Sequence, residues 1–84
     1  STPAIYITIR GGTSRGQLRD FFKILVRTFQ NRPFRVLVST AGKIPAEEWN
    51  GLAENIRFEN WVNGPAAIAQ SDLIIHHGGY SSTM

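Results

Sequence analysis

The residues best suited to chemistry in this 84-residue sequence are His76-His77-Gly78-Gly79-Tyr80-Ser81-Ser82-Thr83. Glycines let a backbone approach an anion and take positive φ, and a helix that starts after them offers free N–H groups and the positive end of its dipole. Ser81 and Ser82 add hydroxyl donors. A histidine entering such a turn, His77, can donate to a phosphate oxygen and stabilise charge on a departing diphosphate. An ordinary strand-to-helix turn capped by serine would use the same residues. Successive side chains on an extended chain point to opposite faces, so His76 reads as a hydrogen-bonded structural residue rather than a ligand contact. Two adjacent histidines on a strand chelate zinc poorly and no third ligand is evident, so no metal site is expected.

A second Gly-rich stretch, Gly11-Gly12-Thr13-Ser14, lacks both the Gly-x-Gly-x-x-Gly fingerprint and the lysine of a P-loop. Nicotinamide cofactors and nucleoside triphosphates are therefore disfavoured. Trp61 either stacks on a planar base or packs, whereas Trp49 reads as a packing residue. Arg10 either pairs with phosphate or faces solvent. Asp72 reads as a local turn or cap residue. No Ser-His-Asp set or close carboxylate pair is recognisable, so no catalytic residue is expected in this chain.

These loops need strands and helices to place them. Ala4 to Arg10 is almost wholly β-branched, aromatic or apolar and reads as a strand buried on both faces. From Ser14, Leu18, Phe21, Phe22, Leu25, Val26 and Phe29 recur at the spacing of one helix face, about 4 turns long. Arg15, Arg19, Lys23 and Arg27 take its wet face, Thr13 or Ser14 caps its start, and Asn31 and Pro33 close it. Phe34 to Thr40 reads as a second strand followed by a turn at Ala41-Gly42-Lys43. Pro45 to Asn50 suits one or two helical turns with Pro45 first. Ile56 to Trp61 reads as a third strand with Trp61 at its end, Pro65 to Gln70 as a short helix, and Leu73 to His76 as a short buried strand. Alternating strands and helices predict an α/β, Rossmann-like unit with a parallel sheet in the order 3-2-1-4. The crevice of such a sheet opens where the order reverses, between strands 1 and 4, and both Gly-rich stretches follow those strands.

Composition narrows the partners. Nine Lys and Arg against six Asp and Glu give a net charge of +3, with the basic residues scattered rather than clustered among aromatics. A small anion suits this pattern better than nucleic acid. There are no cysteines, which excludes a disulfide framework. No apolar run reaches the roughly 18 residues of a membrane span, and a soluble, cytoplasmic protein is expected.

Trp61-Val62-Asn63 and the run Ser71-Asp72-Leu73-Ile74-Ile75-His76-His77-Gly78-Gly79-Tyr80-Ser81-Ser82-Thr83-Met84 resemble the donor-binding signature of GT-B type glycosyltransferases of the macrolide and plant UDP-glycosyltransferase group. The Gly-Gly-Thr-Ser turn resembles the first donor loop of the same domain. Asn63-Gly64 stands where the family usually has Pro-Gln. The resemblance implies a metal-independent, inverting transfer of sugar from a nucleotide donor, UDP- or dTDP-sugar, to an acceptor hydroxyl, with no further cofactor. It implies that His77 contacts the donor diphosphate and that Gly79, Ser81 and Ser82 supply phosphate-loop donors. Trp61 would stack on the nucleobase, while Gly12 and Thr13 would line the far side of the groove. Residues 1–84 would then be part of the donor domain, ending inside the phosphate loop. The acceptor, a small molecule or lipid, and the catalytic base would belong to another domain. Two alternatives stand beside this reading. One is a sugar-nucleotide epimerase or lipid-linked N-acetylglucosaminyltransferase fragment. The other is a non-catalytic module that self-associates through an exposed edge of strand 1 or strand 4.

Overall fold

Strand β1, Ala4–Ile9, is the hydrophobic segment around which the other elements assemble, and it pairs in parallel with a strand on each side. A computed structural model describes residues 2–9 and 14–77, with only the backbone of His77. Within it, β1 is followed by helix α1, Arg15–Phe29, strand β2, Arg35–Ser39, and a 3-10 helix, Ala46–Glu48. Strand β3, Ile56–Glu59, helix α2, Gly64–Ala69, and strand β4, Leu73–His77, complete the order. The sheet runs β3-β2-β1-β4 and every pairing is parallel, so the fold is the Rossmann-like α/β unit that the order of elements predicts.

Register follows from burial. Ile5 and Ile7 stand opposite Val36 and Val38, which stand opposite Ile56 and Phe58. All six are at most 4% exposed and share one face. Onto that face α1 packs Leu18, Phe22, Leu25 and Val26, with Phe21 and Phe29 half-buried at the margins. The apolar spacing of α1 thus becomes its contact surface, and Arg15, Arg19, Lys23 and Arg27 stay exposed. Ser14 caps the helix reciprocally. Its Oγ accepts from the Gln17 N–H at 3.2 Å, and Gln17 Oε1 accepts from the Ser14 N–H at 3.2 Å.

Aromatic packing joins α1 to the far side of the sheet. Phe22 lies 5.0 Å from Phe58 and meets Trp49 edge-on at 5.3 Å, centroid to centroid, so Trp49 is the packing residue expected. Asparagines fasten the loops around this cluster. Asn55 Nδ2 donates to the carbonyls of Phe29, Arg32 and Phe34, holding the end of α1 against the approach to β2. Asn50 donates to the Phe58 carbonyl at 2.9 Å and accepts from its N–H at 2.7 Å. That amide occupies the outer edge of β3, where another strand would otherwise pair.

Right-handed crossovers require the β1–β2 and β2–β3 connections to lie on the α1 face, and the β3–β4 connection, which reverses direction, on the other. Ala67 of α2 and Tyr6 of β1 are accordingly buried without joining the α1 cluster.

Four expectations need correction. β4 is not a buried strand: Leu73 is 52% exposed and Ile74 and Ile75 are half-buried, Ile75 against the core, because β4 is an edge strand with β1 on one side only. β1 offers no edge for association, since it is paired on both sides. Pro45 caps the 3-10 helix from outside rather than opening it. Asp72 is not a local turn residue. Its Oδ2 accepts from the Ala4 N–H at 2.8 Å and its N–H donates to the Ala4 carbonyl at 2.7 Å, tying the start of β4 to the start of β1.

Phe22→Ala removes the ring shared by α1, β3 and Trp49, and should lower unfolding free energy by about 3–5 kcal/mol in urea denaturation. Asn55→Ala should cost about 2 kcal/mol in the same measurement, because three carbonyls lose their shared donor.

Candidate functional site

Parallel strands all finish at one end of the sheet, so the loops that follow them form a single rim. At its centre Ile9 stands opposite His77, which brings the exits of β1 and β4 side by side. In the sequence the two Gly-rich stretches follow these adjacent positions. Arg10, Gly12, Thr13, Gly79, Ser81 and Ser82 lie outside the described residues, as does the side chain of His77. His76 is exposed on the edge strand.

The N-terminus of α1 starts beside this exit. Its first turn contains no acidic residue, its capping box uses Gln17 rather than a glutamate, and Arg15 is exposed at the first helical position. The positive end of the helix dipole is thus not neutralised by its own turn, which favours an anion nearby.

The loops after β2 and β3 form the outer half of the rim, and a buried polar clamp holds them together. Thr40 is 0% exposed, and its Oγ1 donates to Asn60 Oδ1 at 3.1 Å. The same Asn60 oxygen accepts from the Ala46 N–H at 3.0 Å. Thr40 Oγ1 also accepts from the Gly42 N–H at 3.3 Å. Neither Thr40 nor Asn60 stands out in the sequence, because each is a single common polar residue and their link spans 20 positions.

Trp61 does not end β3, which stops at Glu59, but projects from the loop one residue beyond the clamp. It is 76% exposed. Its indole lies against the Gly42 backbone, where a Cβ would fall 3.1 Å from Cζ2. A tryptophan resting on backbone and otherwise open to solvent can offer a planar base a stacking surface. Asn63 Oδ1 caps α2 by accepting from the Ala66 N–H at 3.1 Å. Elsewhere, a depression of about 460 Å³ lined by Asn31, Leu52 and Asn55 opens at the opposite end of the sheet, away from this rim. Among the described residues no three His, Asp or Glu side chains are grouped to hold a metal ion, and no helix is long and apolar enough to cross a membrane.

No family model matches the chain. Individual proteins do. The sequence is 27% identical over 82 residues to demethyllactenocin mycarosyltransferase of Streptomyces fradiae, covering 98% of this chain and 17% of that protein. It is 27% identical over 73 residues to NDP-glycosyltransferase YjiC of Bacillus subtilis, covering 87% and 19% respectively. A YjiC NDP-glycosyltransferase of Bacillus licheniformis is 24% identical over 82 residues, with 98% and 20% covered. The chain thus spans about a fifth of the length of the curated relatives it matches. These likenesses run along most or nearly all of the chain, which is similar in sequence to NDP-sugar and macrolide glycosyltransferases and folds with a parallel sheet in the order 3-2-1-4.

Proposed function

We propose that this chain forms part of the nucleotide-sugar site of a longer glycosyltransferase, which transfers sugar from a UDP- or dTDP-sugar to an acceptor hydroxyl. The observation that carries the reading is the pairing of Ile9 with His77 across β1 and β4, the switch point of the sheet, after which the sequence continues into the two Gly-rich stretches. The relatives' names, a mycarosyltransferase and two NDP-glycosyltransferases, support the reaction class. The uncompensated positive end of α1 supports an anionic ligand.

In this reading the donor diphosphate sits at the exit of β4, with His77 donating to it and Gly79, Ser81 and Ser82 offering N–H and hydroxyl donors. Gly12 and Thr13 line the opposite wall, and Trp61 stacks on the base. The acceptor oxygen forms its bond to the anomeric carbon as the carbon–oxygen bond to the diphosphate breaks, inverting the configuration. The hydroxyl proton passes to a base outside this chain, and the nucleoside diphosphate leaves with the bonding electrons. The role of His77 and the loop donors is to stabilise that growing negative charge without a metal ion.

Titration of the full-length protein with UDP tests these assignments. His77→Ala should weaken UDP binding by about 10- to 100-fold while leaving uridine binding nearly unchanged, as expected for one charge-assisted hydrogen bond. Unchanged UDP affinity would remove His77 from the site. Trp61→Ala should cost about 1–3 kcal/mol of binding to both UDP and uridine. Sugar transfer should persist in excess EDTA, and its loss there would overturn the metal-independent mechanism.

A further inference from the structure

We propose that Gly42 and the Thr40–Asn60 clamp are positioning elements for the nucleobase, holding Trp61 in its stacking orientation before any nucleotide arrives. The inference rests on the stacking role given to Trp61 above. Trp61 is 76% exposed, and an exposed tryptophan with no support would sample several rotamers and lose that freedom on binding. Here the ring has a seat. Gly42 has φ +73°, and its missing side chain leaves room for the indole, since a Cβ there would lie 3.1 Å from Cζ2. Any other residue would be strained at that φ and would also lift the ring.

The seat and the tryptophan are fixed by one set of hydrogen bonds. Thr40 Oγ1 accepts from the Gly42 N–H and donates to Asn60, the residue before Trp61. Asn60 Oδ1 is held in turn by the Ala46 N–H. The loop that carries the ring and the loop that supports it therefore cannot move independently while the buried Thr40 hydroxyl stays bonded. The geometry leaves the face of the indole away from Gly42 for the base, and ordering of the ring is completed on folding rather than on binding.

The test uses the full-length protein labelled with 5-fluorotryptophan, the Trp61 signal being the one lost in Trp61→Phe, with UDP and inorganic pyrophosphate as probes. Gly42→Ala should shift the Trp61 fluorine resonance and weaken UDP binding by about tenfold, approaching the loss in Trp61→Ala, with pyrophosphate affinity unchanged. In the Gly42→Ala, Trp61→Ala double variant the second change should add less than about twofold, because both act on one interaction. Thr40→Val should reproduce the effect and Thr40→Ser should restore it, which covers the case in which Gly42→Ala fails to fold. Wild-type UDP affinity in Gly42→Ala alongside a weakened Trp61→Ala would overturn the proposal. So would losses that multiply in the double variant, or an equal loss for pyrophosphate. If Trp61→Ala itself binds UDP normally, the stacking reading fails, and this inference with it.

Discussion

The parallel pairing of β1 with both β2 and β4 is the contact on which the rest of the molecule depends. A central strand hydrogen-bonded along both edges can be reached only by crossovers that return to the same end of the sheet, so every strand exit gathers on one rim. The reversal of order at β1 then leaves the exits of β1 and β4 adjacent with no helix between them. Burial protects this arrangement. A shift of β1 by one residue would exchange Ile5, Ile7 and Ile9 for Tyr6 and Thr8 on the α1 face. Asp72 adds a fastening where β1 and β4 begin, and so opposes fraying of the edge strand whose far end carries His77.

Two kinds of interaction divide the support of the rim. Its inner half depends on hydrophobic packing: α1 is anchored by Leu18, Phe22, Leu25 and Val26, which also fixes where its positively charged first turn begins. Its outer half depends on hydrogen bonds. There the chain must leave two adjacent strands and form a turn with positive φ at Ala41 and Gly42, a conformation that offers few apolar contacts. The buried Thr40 hydroxyl and the half-buried Asn60 amide oxygen meet that need by accepting from the loop N–H groups of Gly42 and Ala46.

The opposite face shows the limit of what these elements cover. α1 serves β1, β2 and β3, while on the reverse side, where the short helix α2 crosses, Tyr6 and Ala67 are buried but Ile68 is 48% exposed. β4 remains an outer strand, with Leu73 and His76 open to solvent. The outer edge of β3 is closed by Asn50, so the two ends of the sheet differ: one is occupied by a side-chain amide and the other is a strand at the margin.

Much of this was legible in the residues because it is local. The spacing from Leu18 to Phe29 defines α1 and its buried face, Ser14 with Gln17 defines its start, and the sheet order follows from the succession of strands and helices under the handedness of crossovers. The adjacency of the strand ends that precede the two Gly-rich stretches follows from the same topology. What depends on long-range packing was not legible. Trp61 could be named but not placed, since whether it packs or stands open on Gly42 depends on a loop 19 residues earlier in the chain. The exposure of β4 and the reach of Asp72 to Ala4, 68 residues away, likewise follow from position in the sheet rather than from neighbouring sequence. Sequence by itself determined the elements and their order, because periodicity and capping act within a few residues. Tertiary structure alone decided that Thr40 and Asn60 would clamp the rim beneath Trp61, because a hydrogen bond between distant residues exists only once the sheet has brought them together.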